Sequence, residues 1–96
     1  MLILRALANQ PLHGYAIAQR IHQFSNEELS VEEGSLYPAL QKLLLKGLVK
    51  ANWVTSDTGR QVREYKITPT GKKQLATELA EYRRVTGAID ALLDAI

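Results

Sequence analysis

Cysteine is absent from this 96-residue chain, and with it go disulfides, a thiolate nucleophile and cysteine-ligated zinc; a reducing compartment, the cytoplasm, suits such a chain. Histidine is nearly as scarce. His13 and His22 stand nine positions apart, and the adjacent carboxylate pairs Glu27-Glu28 and Glu32-Glu33 do not face each other on a helix, so neither a metal site nor an acid–base pair is expected. Glycine-rich phosphate loops are missing too, because Gly59 and Gly71 are isolated turn and helix-start residues. Together these absences argue against an enzyme and imply neither metal nor cofactor. Long apolar runs are also lacking: Met1-Leu2-Ile3-Leu4 is broken at Arg5, far short of the ~20 residues of a membrane span. The same stretch has no basic leader and no small-x-small cleavage site, so it is not read as a signal peptide. No membrane partner is expected. A capless helix beginning at residue 1 predicts further chain upstream.

What is present is unevenly distributed. The net charge is +2, yet residues 48–73 hold Lys50, Arg60, Arg63, Lys66, Lys72 and Lys73 against Asp57 and Glu64, a local balance of +4. Residues 74–96 are acidic, with Arg83 and Arg84 against Glu78, Glu81, Asp90 and Asp94. A polyanion would therefore meet the middle of the chain and avoid its end. The length fits one domain, too small to bury a long apolar terminal helix without a second copy.

Residues 1–9 read as a helix closed before Pro11, since the residue ahead of a proline is pushed out of the helical region. A second helix runs from near His13 to about Phe24, with Tyr15, Ala18, Ile21 and either Ile17 or Phe24 as its apolar stripe. A third spans the segment from Glu33 to Gly47. There Leu36, Leu40, Leu43 and Gly47 recur at spacings of three and four and form a buried side. Ser35, Ala39, Lys42 and Lys46 lie opposite, a face free of carboxylates that suits phosphates and a major groove. Two caps compete for its start: Ser30, which forms a capping box with Glu33, and Ser35, which places Pro38 in the first turn. The competing reading of the whole helix is an ordinary amphipathic core element with a lysine-bearing solvent face.

Beyond Gly47 the period changes to two. Val49, Ala51 and Trp53 alternate with Lys50, Asn52 and Val54; Ser56-Asp57-Thr58-Gly59 marks a turn; Tyr65 and Ile67 alternate with Glu64, Lys66 and Thr68. This predicts a β-hairpin with Arg60 and Arg63 at its tip and with Trp53, Tyr65 and Ile67 in the core. Thr68 as cap and Pro69 at the first helical position then start a last helix reaching almost to Ile96. Leu75, Leu79, Tyr82, Thr86 or Val85, Ile89, Leu92 or Leu93, and Ile96 follow spacings of three and four over about three heptads. A helix of some 26 residues spans ~40 Å and outruns so small a domain, so this stripe is expected to bind a second copy. Gly87 interrupts it as a tolerated flaw, a bend or a point of close helix approach.

The elements add up to a mostly α fold with a small β-hairpin (α+β): a winged helix-turn-helix over residues 1–68 and a dimerisation helix over 69–96. At the residue level the chain resembles the PadR-type transcriptional regulators. The resemblance rests on Pro11-Leu12-His13-Gly14-Tyr15, Gly34-Ser35-Leu36-Tyr37-Pro38-Ala39-Leu40, Gly47-Leu48, Trp53, Gly59-Arg60 and Tyr65-Lys66-Ile67-Thr68-Pro69-Thr70-Gly71. More narrowly, Val31 to Pro38 is similar to a PadR branch expanded in acidobacteria. The resemblance implies a homodimeric repressor, without enzymatic activity, that binds an inverted repeat of double-stranded DNA and is often released by a small effector or stress signal.

Carried over by position, Ser35 and Tyr37 would bond phosphate or base edges, Gln41 and Lys42 would face the groove, and Arg60 and Arg63 would grip backbone. His13, Gly14 and Tyr15 follow, with Gly14 letting the amino end of the second helix approach a phosphate. Tyr37 has packing beneath the wing as its alternative, Tyr15 the core, and Arg60 and Arg63 a solvated loop. The resemblance also places an aromatic residue near Tyr82, which makes it either an effector contact or one more residue of the dimer seam. Leu44 and Leu45 depart from the pattern, standing where relatives carry charge. Three consecutive leucines cannot share one face, so Leu45 is expected to be partly exposed. The runner-up function is a winged-helix protein-interaction module without specific DNA binding, since fold does not fix function.

Overall fold

The computed structural model describes residues 1–96. In chain order its elements are α1 (Leu2–Ala6), β1 (Leu12–His13), α2 (Gly14–Phe24), α3 (Glu33–Leu45), β2 (Val49–Thr55), β3 (Gln61–Ile67) and α4 (Pro69–Ala95). α1 is shorter than expected: the Ala8 amide donates to the Arg5 carbonyl, an i→i−3 bond that tightens and closes the last turn. Leu12 and His13 then run antiparallel to Tyr65 and Glu64, so the hairpin gains a third strand and the sheet order is β1-β3-β2. A two-residue strand shows no periodicity, and its pairing is set by tertiary placement alone.

His13 caps α2, its Nδ1 accepting from the Ala16 amide at 3.3 Å. Ile17 and Ile21 turn inward. Tyr15 and Phe24, expected in the same stripe, point outward at 59% and 78% exposure. The inward side is set by Gly14, Ile17 and Ile21, at spacings of three and four, which leaves Tyr15 on another side, while Phe24 lies at the last turn.

α3 uses neither expected cap. Glu32 occupies the cap position without a side-chain bond, and its carbonyl accepts from the Ser35 and Leu36 amides at 3.0 and 2.9 Å. Pro38 therefore sits inside the helix; it and Gly34, whose carbonyl loses its helical partner, both lie at the exposed surface, where the carbonyl is open to solvent. Leu36 and Leu40, each 1% exposed, face the core. The helix ends in a Schellman turn: Gly47 adopts φ 72°, its amide donates to Leu44, and the Leu48 amide donates to Leu43.

Val49↔Ile67, Ala51↔Tyr65 and Trp53↔Arg63 are partners on one face of the hairpin. Val49, Tyr65 and Ile67 are buried at its base, at 3%, 5% and 5% exposure. Trp53 is not a core residue. Further along the same face the strands have left the body, and the indole is 68% exposed.

Thr68 joins the layers. Its hydroxyl accepts from the Gly71 amide at 3.0 Å and donates to the Gly47 carbonyl at 2.7 Å, while its amide donates to Leu48. This locks the start of α4 onto the α3–β2 turn so closely that a Cβ on Gly71 would run into the Leu48 carbonyl. Leu75 is then buried at 9% in the one core cluster, with residues of α1, α2, α3 and the sheet. It belongs to the core and not to the exposed stripe, a correction to its periodicity-based place in an intermolecular seam. After Leu79, which is half-buried, every apolar residue of the stripe is exposed.

Candidate nucleic-acid interface

The exposed side of α3 carries Ser35, Tyr37, Pro38, Gln41, Lys42, Leu45 and Lys46. Ala39, expected on this side, is half-buried at its margin. Leu45 is 79% exposed, as three adjacent leucines require. The ion pairs of the molecule are Met1 amino group–Glu78 and Arg84–Glu81; none involves Lys42, Lys46, Arg60 or Arg63, although Lys46 lies near enough to Glu78 to help hold its carboxyl down.

Tyr37 links α3 to α2. A Cβ on Gly14 would lie 3.0 Å from its hydroxyl and 3.1 Å from its ring, and Tyr37 remains 48% exposed. One edge of the ring is therefore docked on the first turn of α2 and the other is open; the packing is against Gly14 rather than beneath the wing. Gly14 is itself buried. The close approach it permits is that of Tyr37, which corrects the expectation of a phosphate there. His13 is exposed beside it with Nδ1 engaged in the cap, and the exposure of Tyr15 rules out a core role.

In the wing turn, the Ser56 amide donates to the Arg60 carbonyl at 2.7 Å, and the Arg60 amide donates to the Ser56 hydroxyl at 3.2 Å. Gly59 supplies the left-handed residue, with φ 80°. Arg60 stands at the tip. Arg63 does not: it lies within β3 opposite Trp53, its guanidinium carbon 5.8 Å from the Tyr65 ring centre. Sequence reasoning missed Trp53 as a surface residue; the signal was its distance from the base of the hairpin, since strands longer than the body they pack on must carry their far ends into water.

On α4, Tyr82, Ile89, Leu92, Leu93 and Ile96 are 51% to 96% exposed, joined by Val85. The hydrogen bond from Gln74 holds the Glu78 carboxyl below its ordinary value, aided by the nearby amino terminus. Arg84 does the same for Glu81.

Two helices packed on a common core, a third helix with an open cationic face and a three-stranded antiparallel sheet with a projecting hairpin define a winged helix-turn-helix protein. Residues 3–77 match the transcriptional regulator PadR-like family, and the chain belongs to it; that family comprises transcriptional regulators, not enzymes. The chain is 43% identical over 89 residues to an uncharacterised 37.1 kDa protein of a Streptomyces fradiae transposon, covering 93% of this chain but 24% of that relative's length. A PadR family transcription regulator from Clostridium difficile superposes with a TM-score of 0.82 at 28% identity, over 96% of this chain and 94% of the other. Bacillus subtilis PadR in complex with operator DNA gives 0.72 at 27% identity, over 81% and 44%.

Proposed function

We propose that the protein is a sequence-specific DNA-binding transcriptional regulator of the cytoplasm, acting as a homodimeric repressor that a small effector or stress signal releases from an inverted-repeat operator. The observation that carries this reading is the exposed face of α3 from Ser35 to Lys46, whose lysines form no ion pair. Ser35, Tyr37, Gln41 and Lys42 contact groove edges and phosphates; His13 and Tyr15 flank them; Gly14 seats Tyr37; Arg60 and Arg63 hold backbone from the wing. The operator complex of the Bacillus subtilis relative supports the same partner class. Residues 1–68 supply the DNA-reading unit and 69–96 the dimerisation element, with Leu79, Tyr82, Ile89, Leu92, Leu93 and Ile96 in the seam and Tyr82 the residue of that seam most suited to contact a flat effector. Dimer symmetry sets half-sites one helical turn, ~10 base pairs, or a multiple apart.

One observation favours a protein-interaction module instead: Leu45 lies 79% exposed among the cations of α3. Fluorescence anisotropy separates the two. The regulator reading predicts tight, salt-dependent binding to DNA from upstream of the protein's own gene, with preference over a scrambled duplex. A folded dimer that binds neither duplex at low salt contradicts it.

A further inference from the structure

Trp53 is the chain's one tryptophan, and it stands 68% exposed on the hairpin. An indole offers a broad apolar face and a single N–H donor, and suits a partner that is apolar on one side and polar at its edge. The setting narrows the choice. Period two puts Ala51, Thr55, Gln61, Arg63 and Tyr65 on the same face as Trp53, and none of them is acidic; Glu64 lies on the other face, opposite Asn52. Arg63 forms no ion pair. The base of this face packs on the core that also holds Ile17 of α2 and Leu36 and Leu40 of α3. The exposed ladder thus extends outward on the side of the sheet that carries the recognition helix.

We infer that Trp53, backed by Arg63, is a DNA contact of the wing. The indole lies against a deoxyribose of the strand bordering the groove that α3 enters, its Nε1–H donates to a phosphate oxygen, and Arg63 supplies the neutralising charge. A sugar–phosphate strand alternates apolar rings with anionic oxygens, matching the alternation of indole and guanidinium across Trp53↔Arg63. The carboxylate-free face makes the match electrostatic as well as steric. This inference rests on the DNA-binding reading above. A second copy of the chain is the competing occupant, since its α4 carries Asp90 and Asp94.

The fluorescence of Trp53 in the full chain tests it. Free protein should emit like a water-exposed indole and be quenched by acrylamide. A blue-shifted, acrylamide-resistant emission before DNA is added overturns the inference in favour of a subunit contact. Adding duplex should shift the emission and protect it from acrylamide. By anisotropy of a labelled duplex, Trp53→Ala should weaken binding about tenfold with an unchanged melting temperature. Trp53→Phe, which keeps an apolar face but no donor, should fall between. Wild-type binding with unaltered emission, together with wild-type affinity in Trp53→Ala, overturns the inference and leaves the DNA-binding reading standing. Failure of the wild type to bind either the upstream duplex or a mixed-sequence duplex at low salt overturns both.

Discussion

Gly71 and Gly14 are small for different reasons, and substitutions separate them. At Gly71 a methyl group would meet the Leu48 backbone carbonyl and lie 2.8 Å from Ile67 Cγ1. A carbonyl fixed by its bond from Thr68 cannot move aside without loosening the α4 cap. Gly71→Ala should therefore destabilise the fold by about 1–3 kcal/mol or more, read as a lowered melting temperature, whereas exposed Thr70→Ala should stay within ~0.5 kcal/mol. At Gly14 the obstacle is a side chain, Tyr37, which can swing outward. Gly14→Ala should cost little stability but shift the Tyr37 ring and weaken DNA binding. Tyr37→Phe, which removes the nearest atom, should restore part of the stability loss in a double-mutant cycle. Additive effects would show that the two do not touch. None of this is legible in the sequence, where Gly71 is an isolated helix-start residue and Gly14 is expected to admit a phosphate; the meaning of each comes from a neighbour distant along the chain.

Among the elements, legibility follows length and periodicity. The buried side of α3, the hairpin and the Thr68-Pro69 start of α4 are readable because each repeats or carries local cap chemistry. β1 is too short to repeat, and Glu32 caps α3 through its carbonyl, which any residue provides. Trp53 and Leu75 were misplaced for one reason: period tells which side a residue lies on, not where along the element the body ends. α4 shows the same limit, with only Gly71 and Leu75 buried at its start and the apolar stripe beyond Leu79 exposed. Leu92→Asp with Leu93→Asp, well clear of the core, should leave the fold intact and convert a dimer to a 10.7 kDa species by light scattering at micromolar concentration; a wild-type monomer there would refute the seam. Acid should also loosen α4. The hydrogen bond from Arg84 holds the folded Glu81 carboxyl below the ordinary 4.5, so its contribution is fully present above that value and is lost as pH falls through the lower folded value. Helicity by circular dichroism should fall in that window, and less so in Glu81→Gln.

The whole molecule is elongated. Its radius of gyration is 15.6 Å, against about 12–13 Å for a compact chain of this length, and its long axis is 58 Å. The excess comes from a 27-residue α4 anchored at one end. Charge is arranged to match: the +4 stretch over residues 48–73 lies in the wing and the root of α4, and the acidic segment lies on the projecting helix. One end suits a polyanion and the other a second copy. The most direct test of this division is the salt dependence of binding to the upstream duplex for wild type, Lys42→Ala and Arg60→Ala. The expected result is a steep log–log slope that flattens by about 1 per phosphate contact removed in each subunit. Slopes that stay unchanged in both variants, with affinity intact, would contradict the claim that α3 and the wing meet the DNA backbone.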